Sequence, residues 1–77
     1  MSRNSIESCI QENLKAYFRD LDGESPSGMY DMVLTAVEKP LLMSVMERAA
    51  YNQSLAAEYL GINRNTLRKK LQQHGLI

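Results

Sequence analysis

Between residues 26 and 50 the apolar side chains change sides of the helix they spell, and a helix of that kind cannot be buried by a single neighbour. At about 100° per residue, Met29, Tyr30, Val33, Ala36 and Val37 cluster on one side, opposite Asp31, Thr35 and Glu38. Beyond Pro40, the residues Leu42, Val45, Met46 and Ala49 take nearly the opposite side. Pro40 cannot donate a hydrogen bond to the Ala36 carbonyl and its ring crowds that turn, so a kink is expected there. One thin helix from the same chain cannot cover both flanks. The economical solution is a homodimer in which the second helices cross and each first helix packs against the other subunit.

The first helix is read from a capping-box-like start, Asn4 followed three residues later by Glu7. Ile6, Ile10, Leu14, Tyr17, Phe18 and Leu21 then recur at helical spacing, forming one stripe about 120° wide. The segment from Asp22 to Gly28 breaks the pattern; Ser25 as N-cap and Pro26 as first helical residue would restart it. From Asn52 onward the chain reads as two short helices with Gly61 at the bend, a helix-turn-helix. Ala56 and Ala57 permit a close crossing, and Ile62, Leu67 and Leu71 supply the apolar seam of the last helix. The fold expected is therefore all-α: four helices per subunit, two long ones forming an intertwined homodimer core, plus the C-terminal motif. Residues 1–50 form the dimerisation part and 51–77 the helix-turn-helix, within a single compact domain.

Charge points to the partner. The 77 residues balance to zero, but from Tyr59 to Ile77 there are four cations (Arg64, Arg68, Lys69, Lys70) and no acid, +4 against −4 for the remainder. Attraction to phosphate is local, screened within about 8 Å at physiological salt, so the asymmetry outweighs the total. Arg64 stands in the first turn of the last helix, the end that enters a major groove, where a guanidinium can pair with guanine O6 and N7. Asn63 is placed as N-cap. The backbone N–H groups of that terminus, the hydroxyls of Ser54 and Thr66, and the ammonium groups of Lys69 and Lys70 can hold phosphates.

The other chemistry-bearing residues read as structural. His74, one place before Gly75, suits a helix C-terminus. Cys9 reads as a small hydrophobe beside the first stripe and Met29, Met32, Met43 and Met46 as core filling. Asp20, Asp22 and Glu24 have no nearby His or Cys. No metal set, nucleophile pair or phosphate-cradling glycine loop is found, so neither an enzyme nor a bound cofactor is expected. One cysteine excludes an intrachain disulfide, and no apolar run nears the roughly 20 residues of a membrane span. Without a signal-peptide pattern, the expected compartment is the cytoplasm.

From about Ser5 to its end the sequence resembles the Fis family of bacterial nucleoid-associated DNA-bending proteins. The likeness is closest in Glu38-Lys39-Pro40-Leu41-Leu42 and in Gly61-Ile62-Asn63-Arg64-Asn65-Thr66-Leu67-Arg68-Lys69-Lys70-Leu71. The resemblance implies four helices per subunit, a dimer core from the first two and a DNA-binding helix-turn-helix from the last two. It matches Asn63 and Arg64 to residues that approach bases, and Thr66, Arg68, Lys69, Lys70, Asn52 and Ser54 to phosphate or groove-facing positions. With Asn65 these make up the candidate DNA-binding set. The implied activity is bending of double-stranded DNA in the nucleoid, with A·T-rich centres read by shape.

The sequence also departs from the longer family members. Those carry an N-terminal arm that stimulates site-specific recombinases; about four residues precede the first helix here, so that activity is expected to be missing. Asn65 replaces a glycine and Leu55 stands where a basic residue can occur, which removes one phosphate contact. The resemblance also implies RNA polymerase as a partner, and Ala50-Tyr51, in place of a basic residue and a glycine, puts contact through that turn in doubt. Two other readings follow from the same residues: a separated DNA-binding domain of an NtrC-type enhancer-binding regulator, or a helical protein-interaction module.

Overall fold

The computed structural model describes residues 3–77, with side chains from Ser5 onward. It contains four helices, α1 (Arg3–Leu21), α2 (Met29–Arg48), α3 (Gln53–Leu60) and α4 (Arg64–Gln73), and no strand among the described residues. The all-α expectation holds. Helix α1 already includes Asn4, so Asn4 does not stand outside the helix as its cap; its side chain lies outside the described residues.

The expected restart at Pro26 does not occur. Gly28 adopts a left-handed conformation, φ 65° and ψ 21°, which interrupts any helix attempted from Pro26, so α2 begins at Met29 and its cap is Gly28 rather than Ser25. The first bond of the new ladder runs from the Met32 N–H to the Gly28 carbonyl at 3.1 Å. From there α2 continues through Pro40 to Arg48.

Three helix ends share one hydrogen-bond pattern, in which two successive N–H groups reach back to carbonyls five and three residues earlier. After α3, Ile62 donates to Ala57 (3.1 Å) and Gly61 to Glu58 (3.2 Å); after α4, Leu76 donates to Leu71 (2.8 Å) and Gly75 to Gln72 (3.1 Å). After α2, Tyr51 donates to Met46 (2.8 Å) and Ala50 to Glu47 (3.0 Å). The pattern needs a left-handed residue at its turn. Gly61 and Gly75 supply it without strain, whereas after α2 the position falls to Ala50, φ 53°, with Tyr51 following at φ 64°.

The core lies at one end of the molecule. Leu42, Met46 and Ala49 meet Ala56 and Ala57 of α3 and Leu67 and Leu71 of α4, all buried, with Val45, Leu55, Leu60, Ile62 and Leu76 packed around them. The second apolar face of α2 thus finds its partner in the helix-turn-helix, and the two alanines let α3 cross closely. The first face is covered only in part: Met29 and Val33 are half-buried, whereas Tyr30, Ala36 and Val37 are exposed. Leu34 and Leu41 extend Tyr30 and Val37 into an exposed row at helical spacing along α2. Helix α1 contributes nothing to the core, and its Ile6 and Phe18 are exposed. Between α1 and the first half of α2 runs an open apolar groove lined by Ile10, Leu14, Tyr17, Met32, Val33 and Val37, with Cys9 on its rim.

The methionines therefore divide. Met46 is buried and Met29 half-buried, while Met32 and Met43 are exposed, so the expectation of core filling fails for these two. Cys9 is exposed as well. The radius of gyration is 15.0 Å, against about 11.5 Å for a compact chain of this length. The chain is elongated, with Ile6, Phe18, Tyr30, Leu34 and Leu41 left exposed outside its core.

Candidate nucleic-acid interface

Helix α4 is built to present its first turn. Asn63 precedes it with extended backbone, φ −68° and ψ 143°, and its side-chain oxygen accepts the Asn65 N–H at 2.7 Å. This is the N-cap expected from the sequence. The first turn holds no acidic residue, so the positive end of the helix dipole is not offset from within the helix. Leu67 and Leu71 anchor the inner face, and both are fully buried.

The outer face carries the cations. Arg64, Asn65, Thr66, Arg68 and Lys69 are exposed, and none of the three cations among them forms an ion pair with a described residue. Helix α3 stands beside them. Asn52 is its N-cap, its side-chain oxygen accepting the Leu55 N–H at 3.1 Å, and two residues on, the Ser54 hydroxyl accepts from Arg64 Nη1 at 3.3 Å. The start of α3 and the start of α4 thus lie together, and Ser54 steadies the guanidinium assigned to base reading. Eight of the nine sequence-assigned residues share this exposed region, at the two helix starts and along the outer face of α4.

Lys70 is the exception. It lies about 100° round the helix from Lys69, on the flank turned toward α2, and its Nζ donates to Glu38 Oε2 at 2.8 Å. His74, one turn further along the same flank, bonds the other carboxylate oxygen through Nε2 at 2.8 Å. A carboxylate only accepts, so this ring nitrogen carries the proton. The bonds from Lys70 and then His74 hold the Glu38 carboxyl below its ordinary range, partly opposed by desolvation. His74 caps α4 as expected, its N–H bonding the Lys70 carbonyl, but its side chain also ties α4 to α2. Glu38 was not singled out from the sequence. The only local signal was that Lys70 and His74, four apart, share a helix flank.

Among the described residues no group of His, Cys, Asp or Glu could hold a metal ion, and no helix is long and apolar enough to cross a membrane. A family model described as bacterial regulatory protein, Fis family, matches residues 33–74, which include most of α2 and the whole helix-turn-helix. The chain is 73% identical over its full 77 residues, and over the full length of the relative, to a protein of Ralstonia nicotianae named as a Fis-like DNA-binding protein. It is 62% identical over 72 residues to one of the same name in Neisseria meningitidis, covering 94% of this chain and 91% of that protein. Against the DNA-binding protein Fis of Glaesserella parasuis the identity is 44% over 75 residues, 92% of this chain and 76% of that one.

Proposed function

We propose, from the premise that this chain belongs to the Fis family of bacterial regulatory proteins, that it is a homodimeric protein that binds and bends double-stranded DNA in the bacterial nucleoid. The observation that carries the reading is the outward face of α4, with Arg64, Arg68 and Lys69 exposed around a capped helix start free of acids. Arg64 is the base reader, paired with guanine O6 and N7, and Asn63 and Asn65 approach the groove beside it. Asn52, Ser54, Thr66, Arg68 and Lys69 position the protein on phosphate without specifying sequence.

Assembly follows from the unburied surface. The exposed row Tyr30, Leu34, Val37 and Leu41 and the groove along α1 are the natural seats for a second copy's α2 and α1. Two-fold symmetry then places one recognition helix in each of two successive major grooves, about 34 Å apart on straight duplex. The family's compact core holds its helices closer than that. The DNA must then curve toward the protein and narrow the minor groove between the half-sites, at a cost of order 1–6 kcal/mol that flexible A·T-rich centres lower.

The test is a binding series in which only the uncontacted central base pairs change. Replacing A·T with G·C there should weaken binding at least tenfold, about 1.4 kcal/mol, with both flanking guanines kept. Circularly permuted probes should migrate as bent DNA. Straight migration with indifference to central composition would overturn the bending mechanism even if binding were tight.

A further inference from the structure

The Glu38 cluster joins parts of the chain that the proposed function treats separately. Glu38 sits on α2, the helix assigned to the dimer core, while Lys70 and His74 sit on α4, the helix assigned to the groove; the two bonds span 32 and 36 residues of sequence. The side chains are 27% exposed at Glu38, 35% at Lys70 and 7% at His74, so the cluster is half-buried, with His74 at its inner end. Thr35 and Gln73 line the same cleft. A carboxylate that accepts from two donors on one flank fixes both the distance and the roll of that helix, because either motion breaks one bond or the other. The roll decides which cations of α4 face outward.

We propose that Glu38 is a positioning residue for DNA recognition, which locks the roll of α4 against α2 and holds the Lys70 ammonium away from phosphate. The inference rests on the DNA-binding reading. It assigns the last two cations of the basic run opposite roles: Lys69 neutralises phosphate, and Lys70 is consumed within the protein. The number of phosphates engaged per subunit is then smaller than the count of cations on the helix.

Salt dependence reads that number directly, since each phosphate neutralised on duplex DNA contributes about 0.9 to the slope of log K against log salt. With the 77-residue chain and one duplex site, Lys69→Met should make the slope shallower by about 0.9 for each chain bound, whereas Lys70→Met should leave it unchanged. Glu38→Gln should release Lys70 and steepen the slope, and Glu38→Gln combined with Lys70→Met should return it to the wild-type value. If Lys70→Met flattens the slope as Lys69→Met does, Lys70 holds a phosphate and the inference is overturned while DNA binding stands. If the wild-type chain binds no duplex DNA, the functional reading fails and takes this inference with it. Should Glu38→Gln fail to fold, the Lys70→Met arm decides alone, because it leaves the Glu38–His74 bond in place.

Discussion

Ala50→Gly is expected to stabilise this protein, against the usual direction of a core-adjacent substitution. Ala50 occupies, at φ 53°, the left-handed turn position that Gly61 and Gly75 fill after α3 and α4. An L-residue there pays about 1–2 kcal/mol. Glycine removes that cost but loses more conformational freedom on folding, about 0.5–1 kcal/mol. The net gain is about 0.5–1 kcal/mol, or roughly 2–8 °C in melting temperature for a domain of this size. Gly61→Ala is the matched control. A Cβ built on Gly61, φ 72°, meets no atom within 4 Å, so that substitution tests the backbone conformation alone and should destabilise by a similar amount. Thermal unfolding followed by circular dichroism measures both, at one protomer concentration, because a dimer's midpoint moves with concentration. If Ala50→Gly is neutral or harmful while Gly61→Ala destabilises, the assignment of backbone strain to the α2–α3 turn is wrong.

In the recognition helix, Arg64→Ala should cost ~1–3 kcal/mol on the best site and flatten the preference at one guanine, while Lys69→Ala weakens all sequences alike; competition titrations on matched and mismatched duplexes separate the two. Leu67→Ala, at a side chain with no exposed surface, should cost about 2–5 kcal/mol in urea unfolding, a large share of the ~5–15 kcal/mol that holds a domain together. Glu38 gives a pH signature. Its carboxyl is held below the ordinary range by Lys70 and His74, so its contribution is fully present above the unfolded-state pKa and is lost as pH falls through the lowered folded value. The stability advantage over Glu38→Gln should therefore shrink on acidification from the ordinary glutamate range downward, and an advantage independent of pH there would contradict the bonded carboxylate. Sedimentation should give twice the 8.8 kDa chain mass, and a compact monomer at micromolar concentration would refute the dimer and the paired half-sites with it.

What the sequence alone determined is the part of the protein governed by interactions within one or two helical turns. Asn52 and Asn63 cap their helices because a side-chain oxygen needs only the N–H two or three residues ahead. Gly61 and Gly75 end theirs because the turn there requires a left-handed residue and glycine takes it freely. Leu67 and Leu71 are buried because a four-residue spacing puts them on one flank, and the reversal of the apolar face across Pro40 already marked α2 as carrying two apolar faces, of which the one after Pro40 holds the buried Leu42, Met46 and Ala49. Local rules failed where two local solutions competed, as at Ser25-Pro26 against Gly28, and where the turn position is held by Ala50, which nothing in its neighbourhood marks as left-handed. Only the tertiary structure decided the fate of Lys70. Its charge is as visible in the sequence as that of Lys69, but whether it faces solvent or Glu38 depends on the roll of α4 against a helix more than thirty residues away. The packing of Leu42 and Met46 against Ala56, Ala57, Leu67 and Leu71 brings α4 against α2, and the Glu38 bonds to Lys70 and His74 then hold its roll, a long-range fit that no spacing rule contains.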